Sequence, residues 1–171
     1  MKWVTRSFPH VDRTASAWLI KRFIDPKAEF IFIDWPDELI PEDAIPFDIK
    51  GVEHGHHDNK CTFETIVEKY NITDPIVHKI ARLVHAMDFE DELEKVPEAK
   101  GIRMIISGLR FAVKKDMDAL EIGFKIWDAL YSYFKSNEIL EKYSENILSK
   151  MSRLEKYRFI RERVRKTLAF Y

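Results

Sequence analysis

The sequence predicts one domain of the α/β or α+β class, with a small, mainly parallel sheet of about three strands followed by a helical half. Two observations lead to this prediction. Short runs of β-favouring residues lie in the first third of the chain, whereas beyond Thr62 the apolar residues recur at helical spacing. A content of 46% hydrophobic and 33% charged residues is typical of a globular protein.

The amino-terminal third combines short strands with one apolar helix. The helix ends before Pro26, and Asp12 or Thr14 is suited to cap its first turn. Because its apolar residues cover most sides, we expect this helix to be buried. A strand, a helix and a parallel strand form a right-handed unit. The predicted elements are strands around 3–4, 30–33 and 45–49 and a helix over 12–24.

The rest of the chain is predicted to be helical, over 62–70, 75–89, 101–115 and 117–135. In this prediction residues 1–149 form the body of the domain, and residues 150–171 form a basic C-terminal helix docked on it. That last segment holds eight Lys or Arg residues against two Glu. Such a face is typical of a solvated helix surface, and the alternative is contact with nucleic acid.

The composition also limits the compartment. No apolar run approaches the ~20 residues of a membrane span, and no apolar signal-peptide segment follows Met1. We therefore predict a cytoplasmic protein without a membrane partner, and the sequence indicates no oligomeric state. Cys61 is the single cysteine, so it forms no internal disulfide and is either a buried small residue or a functional thiol.

Potential metal ligands follow the predicted strands. His10 and Asp12 come after the first strand, and the stretch PFDIKGVEHGHHDNKCTFE holds Asp48 and three histidines. Because the carboxyl ends of parallel strands meet at one edge of a sheet, we expect these groups to converge. Asp88 ends a predicted helix that can return to the same edge. The predicted metal ligands are His10, Asp12, Asp48, Glu53, His56, His57 and Asp88.

Carboxylates mixed with imidazoles favour Mn²⁺, Fe²⁺ or Zn²⁺. Side chains alternate along an extended loop, so His54 and His56 are predicted to share one face. No zinc-protease, zinc-finger, P-loop or α/β-hydrolase motif is present. If the protein is an enzyme, we expect a metal-dependent hydrolase in which Asp12 holds the metal and Arg13 binds a small anionic substrate or oxyanion. The alternative is a sensor that binds an oxyanion or a metal without turnover.

Three stretches carry a family resemblance: WVTRSFPHVDRTASAWLIKRFIDPKAEFIFI, IPFDIKGVEHGHHDNKCTFETIVEKY and DPIVHKIARLVHAMD. In order and spacing they resemble the C-terminal domain of the chromate-resistance protein ChrB, over roughly residues 1–135. The resemblance implies a role in chromate resistance, as a regulator or an accessory protein. The positions that match the family pattern are Asp12, Arg13, Asp48, Glu53, His56 and Cys61.

A fainter resemblance is to the DHH phosphoesterases, in which a His-x-Asp, an Asp after a strand, a His pair and a later Asp hold manganese. It implies a manganese-dependent phosphoesterase. One difference is that Gly55 stands where the family has an aspartate before the histidine pair, which removes one expected ligand. The positions that follow the family order are His10, Asp12, Asp48, His56, His57 and Asp88.

Overall fold

A computed structural model describes residues 1–143 and 147–168. Its sheet has three strands, and both strand pairs are parallel. The central strand β1 lies between the other two, which is the order β2–β1–β3. The predicted α+β class, with strands first and helices after them, is confirmed. The strands are β1 (Lys2–Arg6), β2 (Glu29–Ile33) and β3 (Ile45–Pro46).

The first helix, α1 (Val11–Leu19), continues into a π-helical turn over Ile20–Ile24. Every residue of α1 is buried, as its apolar sequence predicts. The predicted caps are wrong: His10 occupies the N-cap position and no side chain caps the helix. The Thr14 hydroxyl donates to the Val11 carbonyl instead, and the Asp12 carboxylate faces a different helix.

Further helices complete the described part of the chain. Asp74 caps α3 (Pro75–Asp88), where its Oδ1 accepts hydrogen bonds from the backbone N–H groups of Ile76 and Val77. The fifth helix begins at Pro97 rather than 101, because proline is favoured in a first helical turn. The helices are α2 (Thr62–Lys69), α3 (Pro75–Asp88), α4 (Glu90–Leu93), α5 (Pro97–Ala112), α6 (Asp116–Tyr143) and α7 (Arg153–Leu168), with a 3₁₀ turn over Leu148–Lys150.

The core lies between α1, α6 and the sheet. Trp3, Trp18 and Trp127 are fully buried, and each indole N–H has a hydrogen-bond acceptor. Trp127 donates to the Thr14 hydroxyl, which joins α6 to α1 at 3.2 Å. Burying a side chain of this size stabilises the fold by roughly 2–3 kcal/mol. The packed pair of α1 and α6 therefore supports the sheet edge at which α1 begins.

The basic helix α7 lies against α6. Val164 is buried, and the Arg163 guanidinium lies 3.3 Å from the Phe159 ring centroid and 5.5 Å from that of Tyr143. The predicted segment 150–171 is described as far as Leu168, and residues 169–171 lie outside the described residues. Among the described residues, no helix combines the length and the apolar character needed to cross a membrane.

Candidate metal centre

Asp12 anchors the start of α2. Its two carboxylate oxygens accept the backbone N–H groups of Thr62 and Phe63, at 2.7 and 2.9 Å. These are the first two residues of α2, whose N–H groups have no partner within the helix. Asp12 is 3% exposed, so two backbone donors hold its carboxylate in a fixed position inside the protein.

Asp48 follows β3 and adopts a left-handed backbone conformation, with φ 51°. Its Oδ2 accepts from Arg13 Nε at 2.8 Å and from Arg6 Nη2 at 3.3 Å, while Oδ1 accepts from the Thr62 hydroxyl at 3.2 Å. Burial raises the pKa of the Asp48 carboxyl and the charge of Asp12 adds to this, whereas the two guanidinium groups oppose it. The arginines and Thr62 thus fix the orientation of both oxygens.

His56 places one ring nitrogen between three carboxylates. Its Nε2 lies 3.1 Å from Asp12 Oδ2, 3.3 Å from Asp88 Oδ2 and 3.7 Å from Asp48 Oδ1. The ligand atoms of Asp12, Asp48 and His56 all lie within 4.8 Å of one another. Asp88, the last residue of α3, closes the group from the helical half. We call Asp12, Asp48, His56 and Asp88 the candidate metal centre.

The electrostatics of this centre are those of a site that holds a positive charge. The hydrogen bond to Asp12 is the main cause that raises the pKa of His56 to about 8, so the metal-free imidazole is largely protonated at neutral pH. Burial, followed by the charge of Asp12, raises the pKa of Asp88 to about 6. His56 is 46% exposed at its side chain, which leaves one side of the centre open to solvent.

Three other predicted ligands make different contacts. Glu53 is exposed and pairs with Lys69 at 2.6 Å. The Nε2 of His57 bonds the backbone carbonyls of Val52 and Glu53, at 3.1 and 3.0 Å. His10 Nε2 lies 2.7 Å from the Ser107 hydroxyl, and burial together with nearby arginines lowers the pKa of His10 to about 4. These contacts leave all three outside the candidate metal centre.

The histidine loop does not alternate as predicted. His54 points into the core, where its ring stacks on Tyr70 and meets Trp3 edge to face, so it does not share a face with His56. The reason lies at Gly55, where an added Cβ would meet the Ile49 carbonyl oxygen at 2.9 Å and that of Val52 at 3.0 Å. This close approach also leaves no room for the aspartate that the DHH pattern has there.

Cys61 and Arg13 both have structural contacts. Cys61 is fully buried before α2, and burial raises the pKa of its thiol far above neutrality, so it is a small core residue. Arg13 is 7% exposed. Its Nε donates a hydrogen bond to the Asp48 carboxylate, and its Nη1 donates to the backbone carbonyls of Ser7 and Phe8. Its first effect is therefore to orient Asp48.

Two contributors were missed by sequence reasoning. Arg6 ends β1, and its Nε and Nη2 contact the Asp48 carbonyl and carboxylate. Asp12 was predicted because the carboxyl ends of parallel strands meet at one edge of a sheet. This strand-end rule applies to Arg6 as well. Thr62 binds both aspartates, through its N–H and its hydroxyl. No local pattern marks Thr62, because its role depends on α1 and α2 meeting in the folded chain.

Fold and site together define an α+β domain with a candidate metal centre at the carboxyl ends of β1 and β3. Comparison with known proteins then gives the family: residues 3–134 match the model of the ChrB C-terminal domain, and the chain belongs to that family. The chain is 34% identical over 138 residues to Protein ChrB of Cupriavidus metallidurans. That alignment covers 79% of this chain and 41% of the relative's length. No solved structure matches the chain.

Proposed function

We propose that this chain is a cytoplasmic divalent-metal-binding domain of the ChrB family that acts in chromate resistance. One observation carries the metal proposal. Two buried carboxylates and one imidazole nitrogen, from Asp12, Asp48 and His56, present ligand atoms within 4.8 Å of one another. The role in chromate resistance comes from the family, to which the longer relative Protein ChrB gives its name.

The separations between ligand atoms fit a first-row divalent ion. Ligands bound at about 2.1 Å lie about 3.0 Å apart in an octahedron and about 3.4 Å apart in a tetrahedron. The distances from His56 Nε2 to Asp12 Oδ2 and Asp48 Oδ1 are 3.1 and 3.7 Å. A bound ion would replace the proton that His56 carries. Two carboxylates with one imidazole, from Asp12, Asp48 and His56, favour Mn²⁺, Fe²⁺ or Zn²⁺ over Mg²⁺.

Metal analysis of the purified protein tests this proposal. We expect about one transition-metal ion per chain after loading and desalting, and none after His56→Ala. His57→Ala is the matched control, because His57 is the neighbouring exposed imidazole and contacts only backbone carbonyls of its own loop. Equal metal content in the two variants would reject the centre. His56 is preferred to Asp48 for this purpose, since removing Asp48 would leave Arg13 buried without its partner.

A second candidate function is metal-dependent hydrolysis of a phosphoester. The position of Asp88 favours it, because this residue completes the order of acidic and histidine residues seen in DHH phosphoesterases and lies 3.3 Å from His56. The open side at His56 would leave room for a metal-bound water. Asp88 lies beside the three ligands, 3.3 Å from His56 Nε2, and is suited to accept a proton from that water.

The hydrolase and sensor alternatives differ in one measurement. A hydrolase should cleave a short oligonucleotide or dinucleotide with Mn²⁺, and Asp88→Asn should reduce the rate by at least about 100-fold while the metal stays bound. A sensor should bind metal with the same stoichiometry and show no turnover. Asp88→Asn is more informative than Asp12→Asn, because Asp12 also anchors α2.

A further inference from the structure

A separate cleft opens on the other side of Asp48. It encloses about 490 Å³ at the carboxyl ends of β1 and β2, between α1 and α5. We call it the arginine cleft, because Arg6, Arg13 and Arg110 line it. Its volume falls within the range of small-molecule sites, about 300–1,000 Å³, and is much larger than an inorganic oxyanion needs.

One buried N–H group of Arg110 has no hydrogen-bond acceptor. Its Nε is buried without a hydrogen-bond partner, and among the described residues this holds for one other side-chain atom, the Thr5 hydroxyl oxygen. Buried donors in folded proteins are nearly always satisfied, and a missing ion or ligand is one common reason for an exception. Arg110 also forms no ion pair with the residues that the structure describes. Its guanidinium lies over the Phe111 ring, 5.0 Å from the centroid, so its charge has an aromatic neighbour but no carboxylate partner there.

The other two arginines provide further donors at the same place. Arg13 uses Nε and Nη1 for its hydrogen bonds, and Arg6 uses Nε and Nη2. Each guanidinium has five N–H donors in a planar fork that suits the oxygens of a phosphate. Asp48 holds both forks in place through one carboxylate oxygen. The floor of the cleft is therefore prearranged for an oxyanion.

The rim of the cleft has a different chemistry. Phe8 is 61% exposed and sits at φ 56°, a conformation that costs free energy for a bulky side chain and is enriched at functional sites. Trp35, which is 38% exposed, provides a second aromatic face. Asp34 and Asp37 add exposed carboxylates. Carboxylates would repel a bare dianion but accept hydrogen bonds from amino or hydroxyl groups.

We propose that the arginine cleft binds a small phosphate monoester carrying a flat ring with hydrogen-bond donors, the chemistry of a nucleoside monophosphate. The phosphate contacts Arg6, Arg13 and Arg110, and the ring lies at Phe8 and Trp35. Aromatic side chains stack favourably on the flat face of a base and tolerate different bases. This site goes beyond the metal function, since none of the cleft residues named here is a ligand of the candidate metal centre.

Calorimetric titration in EDTA tests the proposal with three probes: adenosine monophosphate, inorganic phosphate and adenosine. We expect the monophosphate to bind at least about tenfold more tightly than either fragment. Equal affinity for inorganic phosphate, or no heat with the monophosphate, would overturn the proposal. Because EDTA removes divalent metal, the result does not depend on the candidate metal centre.

Two variants locate the binding. Arg110→Gln should weaken binding of the monophosphate by at least about tenfold, because it removes a charged donor that forms no ion pair. The control Arg82→Gln removes an exposed arginine from α3 and should change nothing. Phe8→Asn should weaken the monophosphate but not inorganic phosphate, and asparagine tolerates the positive φ. If Arg110→Gln behaved like Arg82→Gln, the cleft would be rejected as the site.

Discussion

The two sides of Asp48 carry opposite charge: carboxylates predominate on one side and arginines on the other. Its Oδ1 faces the candidate metal centre, where three carboxylates surround one imidazole, and its Oδ2 faces two arginines of the arginine cleft. The first side favours a cation and the second favours an anion. One buried carboxylate thus separates two candidate sites that favour ions of opposite charge.

On both sides of Asp48, buried charges are stabilised by neighbouring groups. Isolated buried charges are costly, so each one needs an opposite charge or hydrogen bonds. On the acidic side, protonated His56 provides that charge when no metal is bound. On the basic side, Asp48 neutralises part of the charge of Arg6 and Arg13, while Arg110 stays unpaired among the described residues.

We expect the largest loss of stability from replacing Asp48, the carboxylate between the two sides. Asp48→Asn removes the charge between the two sides and leaves the Arg13 guanidinium buried without an anion. We expect a loss of about 3–5 kcal/mol in the free energy of unfolding, measured with urea. Asp58→Asn is the matched control, because Asp58 also has a positive φ but is exposed. Similar stability of the two variants would contradict a charge role for Asp48.

Metal addition should act on the acidic side alone. Mn²⁺ at 100 times its dissociation constant should raise the free energy of unfolding by about 2.7 kcal/mol. EDTA should reverse the gain. The affinity should rise between pH 6.5 and 8.5, because the proton on His56 competes with the ion and its pKa is about 8. A thermal-shift series over pH measures this, and a pH-independent shift would point to a site without His56.

Without metal, the ion pairs of His56 should make stability depend on pH. Its pKa is raised from 6.5 to about 8, so the stabilisation is complete below pH 6.5 and is lost as the pH rises through 8. The shift corresponds to about 2 kcal/mol, which we reduce to about 1 kcal/mol because half of the side chain is exposed. Urea unfolding of wild type and His56→Gln should converge above pH 9. Parallel curves across the whole range would contradict this ion pair.

The smallest effect is expected at Glu53, which was a predicted ligand. Its pair with Lys69 lies at the surface, with the Glu53 side chain 76% exposed, so Glu53→Gln should change neither stability nor metal content measurably. A loss of metal in this variant would show that the histidine loop rearranges around the ion. Metal analysis beside the His57→Ala control distinguishes the two outcomes.

The strand-end rule identified the part of the site that depends on simple topology. Asp12 and Asp48 follow β1 and β3, which are neighbours in the sheet, so their meeting follows from parallel pairing alone. The prediction of Asp88 needed one further assumption, that the helix it ends returns to the same edge of the sheet. The direction of His54, His56 and His57 could not be predicted, because it depends on the close backbone contacts at Gly55.

Helix boundaries and the arginine cleft show the limits of local patterns. The prediction ended α6 at 135, but the helix continues to Tyr143, since Ile139 is buried and Lys135 pairs with Glu138. Arg110 comes from α5 and reaches the sheet edge only through tertiary packing. Its sequence neighbourhood gives no signal of a binding role.

The bond from Asp12 to α2 joins residues 50 positions apart, with the acceptor first in the chain. During synthesis the anchor is therefore present before the helix that it receives, as is the rest of α1. Every residue of the candidate metal centre also precedes α5. The residues of the centre are thus all synthesised before α6, the helix that packs on α1, so the centre can become fixed in place only after the second half of the domain has been made.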